Sequence, residues 1–219
     1  MKRLLKILVV GLAATAILSS AANANLTIDT SPGTGSPPAT LGPYTMTPFP
    51  DDIRSTGVSY SSVASPLGGD VGFSPSLLHD EVGNDWASWS HGYTGDVYST
   101  DIFGANLIMP SDTTAFYFYV QPSSGEYNIT IAGWDGVASN PYASQIISSD
   151  SGASYFGIYA TEGSVIESIA IYCEESNFAI GEFGIASGST ISSVPGPSAL
   201  VLSNVGLGLV LKLKRKRFS

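Results

Sequence analysis

The chain has 219 residues, 43% of them hydrophobic and only 12% charged, with a formal net charge of −9. That length supports one substantial core rather than two domains. The basic residues sit at the two ends, with Arg54 alone between them, so residues 25–194 hold all 18 acids against one arginine, a formal charge of −17. Such a surface excludes nucleic acid and anionic membranes as partners, because both need Lys and Arg to displace counterions. A single cysteine, Cys173, excludes an internal disulfide, and its place in "IESIAIYCEE" reads as a buried, inert thiol.

Residues 1–24 read as a signal peptide. Lys2, Arg3 and Lys6 precede an apolar stretch from Ile7 to Leu18, and Ala22-Asn23-Ala24 supplies the small-x-small site that a signal peptidase cuts. Residues 25–43, rich in Pro, Gly, Ser and Thr, read as a flexible lead-in with one short strand candidate at Leu26-Thr27-Ile28.

The folded unit is expected over residues 44–186, as an all-β, antiparallel β-sandwich or jelly roll. Apolar residues recur there at a period of two, broken by glycine-rich turns every ten residues or so. "TTAFYFYVQP" places Phe116, Phe118 and Val120 on one face with Tyr117 and Tyr119 on the other. "GEYNITIAG" does the same with Tyr127, Ile129 and Ile131 against Asn128 and Thr130, and "PSSG" between the two predicts a hairpin. "ASYFGIYA", "SVIESIAIYC" and "NFAIGEFGIA" continue the series, and a slip of parity in the last predicts a bulge at Gly181-Glu182. Only "SPSLLHDEVG" departs, where Pro75 and Ser76 predict a single helical turn.

The segment "DWASWSHGYTGDVY" is the densest in chemistry. Trp86, Trp89, His91, Tyr93 and Asp96 combine flat aromatic faces with a carboxylate and an imidazole, a set that can stack on sugar rings and bond their hydroxyls. The same residues can equally cap one end of a sandwich. No cofactor is assigned by sequence. Calcium is the cation that Asp85, Asp96, Asp101 and Asp135 near turns would suit, although no D-x-D-x-D-G loop is present. No G-x-S-x-G, H-E-x-x-H or phosphate loop occurs, and 18 acids offer a glycosidase pair without identifying one.

Residues 187–193 read as a linker, and 194–219 as a membrane-directed tail. Ser198 to Leu211 would span roughly 21 Å as a helix against a hydrocarbon core of about 30 Å, extended by Lys212 and Lys214 snorkelling. Arg215, Lys216 and Arg217 would hold the end on the cytoplasmic side and leave the acidic domain outside. Val194, Pro195, Gly196 and Pro197, the Gly- and Leu-rich run and the basic Lys214 to Arg217 resemble the PEP-CTERM sorting signal of Gram-negative bacteria, with Gly196 where that family has glutamate. The resemblance implies handover to an exosortase.

The 86–98 segment together with "AFYFY", "YFGIY" and "FAIGEFGIA" resembles a family of exported bacterial proteins with the same tail and no established activity. The expectation is an exported, non-catalytic matrix or adhesive protein at the membrane, the cell surface or in a biofilm matrix, with exopolysaccharide as a partner. The alternatives are a carbohydrate-binding module using Trp86 to Tyr98, and a secreted hydrolase.

Overall fold

The computed structural model describes residues 25–136, 141–161 and 163–188. The signal peptide, the sorting signal and most of the linker lie outside the described residues. No helix among the described residues is long and apolar enough to cross a membrane.

The strands are β1 (Asn25–Asp29), β2 (Thr40–Leu41), β3 (Tyr44–Thr45), β4 (Thr47–Pro48), β5 (Val58–Ala64), β6 (Asp70–Glu81) and β7 (Asp96–Thr100). They continue as β8 (Gly104–Ile108), β9 (Thr113–Pro122), β10 (Glu126–Trp134), β11 (Tyr142–Ser148), β12 (Ser154–Thr161), β13 (Ser168–Cys173) and β14 (Phe178–Ser187). One ladder runs β1-β12-β9-β14-β7-β6-β8-β13-β10-β11, with β4 added to β14 and β5 to β6.

The ladder folds back on itself at β6, which bonds β8 through Gly72–Ser74 and β7 through Leu78–Glu81. Pro75 lies where the pairing changes partner, as expected of a residue with no N–H to give a ladder. A first layer, β1-β12-β9-β14-β7, thus faces a second, β8-β13-β10-β11. The core between them contains Phe116, Phe118 and Val120 from β9, Ile129 and Ile131 from β10, Phe156 and Ile158 from β12, and Ile169 and Ile171 from β13. The fold is all-β, a nearly closed antiparallel sheet in two layers.

Three local expectations are corrected. The stretch after Pro75 is strand, not a helical turn: Leu77 is buried, Leu78 exposed and His79 buried, a period of two that a helix cannot produce. β9 and β10 do not form a hairpin. β9 bonds β12 and β14, whereas β10 bonds β11 and β13, so "PSSG" carries the chain from one layer to the other. Their apolar faces meet across the core instead of lying side by side.

The lead-in, finally, is part of the fold. β1 pairs with β12 from Asn25 to Asp29, and Leu41 is buried. Residues 30–46 lie over the outer face of the first layer. Tyr155 N–H donates to Gly33 O (2.8 Å), Tyr119 Oη to Gly35 O (2.5 Å) and Tyr44 Oη to Ala160 O (2.8 Å). Leu41, Tyr44 and Met46 pack there on Tyr117, Tyr119 and Tyr155. All ten residues of β9 are consequently buried, which explains why both of its faces are aromatic.

The parity slip in β14 is present as expected. Its register against β9 shifts between Gly181 and Gly184, and Glu182 sits in the left-handed region at φ 53°.

Candidate functional site

The loop from Val82 to Gly95 packs against the end of the first layer, held by the bulge in β14. Glu182, turned outward by that bulge, accepts from His91 Nε2 (2.7 Å) and from Trp89 Nε1 (3.2 Å). His91 Nδ1 lies 3.2 Å from Thr34 O, so one imidazole ties the loop, the covering segment and β14 together. His91 and Glu182 both hold positive φ, 39° and 53°, a conformation non-glycine residues keep only when their surroundings enforce it. Burial raises the Glu182 carboxyl above its ordinary range, and the His91 contact offsets part of that rise.

A second imidazole–carboxylate pair lies one layer deeper. His79, fully buried on β6, meets Asp96 Oδ1 at 2.8 Å, and Asp96 Oδ2 accepts from Asp52 N–H at 2.5 Å. Asp52 in turn is chelated by Arg54, with Nη2 at 2.6 Å from Oδ2, and accepts from Tyr98 Oη at 2.7 Å. The Arg54 guanidinium holds the Asp52 carboxyl well below the usual range and lies 3.9 Å over the Tyr60 ring. The single arginine between the chain's ends thus pairs with Asp52 in a polar knot that fastens residues 51–55 to the sheet.

Most of the sequence-predicted set is spent on this fastening. Trp86 is 9% exposed, packs on Val82, Val97 and Ala179, and donates its indole N–H to Gln121 Oε1 (2.9 Å). It forms part of the wall of a shallow hollow of about 410 Å³, shared with Asp85 and Asp150, but shows little ring surface there. Tyr93 donates to the Asp96 backbone carbonyl (3.0 Å), and burial lifts its hydroxyl far above the phenol range, so it stays a neutral donor. Trp89, His91 and Tyr93 do come together with Glu182. Trp89 and Tyr93 also pack against the apolar cluster that holds Trp86, whereas the Asp96 carboxylate is turned to His79.

A cleft of about 160 Å³ adjoins this cluster, lined by Phe49, Pro50, Asp51, Tyr93, Asp96 and Glu182 among others. A carboxyl with a raised pKa in a cleft is what the hydrolase reading asks for. Here, however, both Glu182 oxygens are engaged, and the volume is about half of the 300 Å³ at which ligand pockets begin. The four acids considered for calcium are not gathered either. Asp85 and Asp101 are exposed, Asp96 bonds His79, and among the described residues no three His, Cys, Asp or Glu side chains group to hold a metal. Cys173 is fully buried, and that burial pushes its thiol upward.

Sequence reasoning missed the outer face of the second layer. Trp134, Tyr142 and Tyr172 are 36%, 76% and 52% exposed there, accompanied by Ile108 and Ile146. The signal was present in the outward phase of these strands, which continues past Asn128 and Thr130 to Ala132 and Trp134 on β10 and recurs as Ala170 and Tyr172 on β13.

No family model matches the chain, and no curated protein does. Among solved structures it is similar to the CBM22-1 xylan-binding domain of Xyn10C from Paenibacillus barcinonensis, at 14% identity and a TM-score of 0.32, covering 63% of this chain and 100% of that one. It is also similar to TmCBM61 in complex with β-1,4-galactotriose, at 12% identity and a TM-score of 0.27, covering 50% of this chain and 82% of that one. Neither overlay is close enough to transfer a residue.

Proposed function

We propose that this chain is an exported, non-catalytic protein of the cell surface or extracellular matrix, with an adhesive role exercised through the open face of its second layer. The observation that carries the reading is the asymmetry of the two outer faces. The first layer is covered by residues 30–46 and by the Val82–Gly95 loop; His91 and Glu182 are occupied in fastening that cover, and His79 and Asp96 in the knot that holds residues 51–55. The second layer leaves large apolar side chains in water. Scattered exposed apolar residues need no explanation, but a group on one sheet face marks an interaction surface.

Delivery follows from the two ends of the sequence. Signal peptidase would cut after Ala24, and an exosortase would act on the 194–219 signal or leave the tail as a membrane anchor. The acidic character keeps such a domain soluble outside the cell.

The test has two parts. Intact mass of the protein from its native host, in membrane, surface and medium fractions, should show a chain starting at Asn25 and ending near Pro197. The double variant Trp134→Ala/Tyr172→Ala should then leave the surface fraction for the medium. An unprocessed chain in the cytoplasm, or a variant retained like the wild type, would contradict the proposal.

A further inference from the structure

Resting on that adhesive reading, we infer that the open face of the second layer is a binding platform for an uncharged polysaccharide. Its geometry follows from the register. Trp134 on β10 pairs with Ser168, Ala132 pairs with Tyr142 on one side and Ala170 on the other, and Thr130 pairs with Ser144 and Tyr172. With strands about 4.8 Å apart and a rise of about 3.3 Å per residue, Trp134 and Tyr142 lie about 8 Å apart, and Tyr142 and Tyr172 about 12 Å. The three rings therefore stand at the corners of a triangle, with Trp134 and Tyr172 about 14 Å apart, around a floor of small side chains that includes Ala132, Ala170 and Ser168.

The polar groups on the face are neutral. Thr130 Oγ1 and Ser144 Oγ share a hydrogen bond of 2.6 Å beside Tyr172, and Asn106 points outward on β8. In a chain with 18 acids, the rows between Trp134 and Tyr172 hold none; Glu167, whose N–H donates to Trp134 O, stands at one end of the face, and Glu126 and Glu174 stand beyond the Asn128 row at the other. Flat rings with interleaved hydroxyls and amides match a polyol chain, whose pyranose faces are apolar and whose edges bond. An anionic polymer meets no cation here, and the acids at the ends of the face repel it. A second copy of this chain would bring the same strongly acidic domain against itself and bury Asn106 and the Thr130–Ser144 pair without new partners.

The experiment is affinity electrophoresis of the full mature chain in native gels containing xylan, galactan, hydroxyethyl cellulose, the neutral exopolysaccharide of the host, or alginate as the anionic control. Retardation is expected in at least one uncharged polymer and not in alginate. Trp134→Ala and Tyr172→Ala should each weaken it by about 2- to 12-fold, the worth of one aromatic contact, with Trp134→Phe restoring most of it. Trp89→Phe should bind as the wild type does. Thermal melts of every variant establish that it is folded. Absence of retardation in all uncharged gels, retardation in alginate alone, or binding that survives the Trp134→Ala/Tyr172→Ala double variant overturns the inference. If that variant nevertheless leaves the cell surface, the adhesive reading stands with another occupant. If it stays on the surface, the adhesive reading falls as well.

Discussion

Replacing Trp86 by Phe separates a structural tryptophan from a binding one. The indole N–H donates at 2.9 Å to Gln121 Oε1, and Gln121 is 2% exposed with its amide nitrogen given to Ser149 O at 2.8 Å. Phenylalanine keeps most of the packing on Val82, Val97 and Ala179 but strands that amide oxygen away from water. A buried acceptor left without a donor costs about 1–3 kcal/mol, and the smaller ring adds to it. For a domain of this size each kcal/mol moves the melting temperature by about 2–4 °C. Urea unfolding followed by tryptophan fluorescence should show a lower midpoint at unchanged slope. Adding Gln121→Met should recover part of the loss, giving a coupling energy of about 0.5–3 kcal/mol. Trp86→Phe within about 0.5 kcal/mol of wild type, the range of surface substitutions, would place the indole in water and refute the reasoning.

Further outcomes follow from the same contacts. Gly184→Ala would drive its Cβ into the buried Tyr117 ring, so overpacking should cost about 1–3 kcal/mol in a thermal or urea melt. Arg54→Met should lose stability, toward the low end of about 1.5–3 kcal/mol because Arg54 is a third exposed. Since the folded-state pKa of Asp52 is depressed, its contribution is complete above pH 3.8 and fades as pH falls through the lower folded value; the penalty of Arg54→Met should therefore shrink in acid. Glu182 has the opposite sign. Its raised pKa makes the folded state hold the proton more tightly, so stability should decline as pH rises from 4.5, and Glu182→Gln should flatten that limb in unfolding measurements across pH. Cys173 should resist thiol reagents until the chain unfolds, so labelling in native buffer within seconds would contradict its burial.

Local patterning carried much of the fold. The alternation in β9 correctly separated Phe116, Phe118 and Val120 from Tyr117 and Tyr119, and the broken parity at Gly181-Glu182 located the bulge. What was not legible is which strands pair. "PSSG" is equally compatible with a hairpin and with a crossing between layers, because a short polar turn does not reveal whether its two apolar faces will lie side by side or face to face. The covering segment was hidden by composition. Pro, Gly and Ser suggest mobility, but here backbone carbonyls of Gly33 and Gly35 accept from Tyr155 N–H and Tyr119 Oη, bonds that need no hydrophobic residue in the segment itself. The second aromatic face of β9 was in hindsight the clue, since two aromatic faces need two covers.

The site was legible in part for the same reason. A cluster such as Trp86 to Asp96 stands out because its residues are adjacent in sequence, yet adjacency says nothing about which way an indole N–H turns. The open face, in contrast, is assembled from β10, β11 and β13, and Trp134, Tyr142 and Tyr172 become neighbours only through register.

The most direct measurement is hydroxyl-radical footprinting of the mature chain, read by mass spectrometry, with and without the neutral polysaccharide extracted from its host. Protection is expected at Trp134, Tyr142 and Tyr172, with Trp89, His91 and Tyr93 unchanged. Protection at Trp89, His91 and Tyr93 with Trp134, Tyr142 and Tyr172 still fully labelled would contradict the account and return the binding surface to the Val82–Gly95 loop.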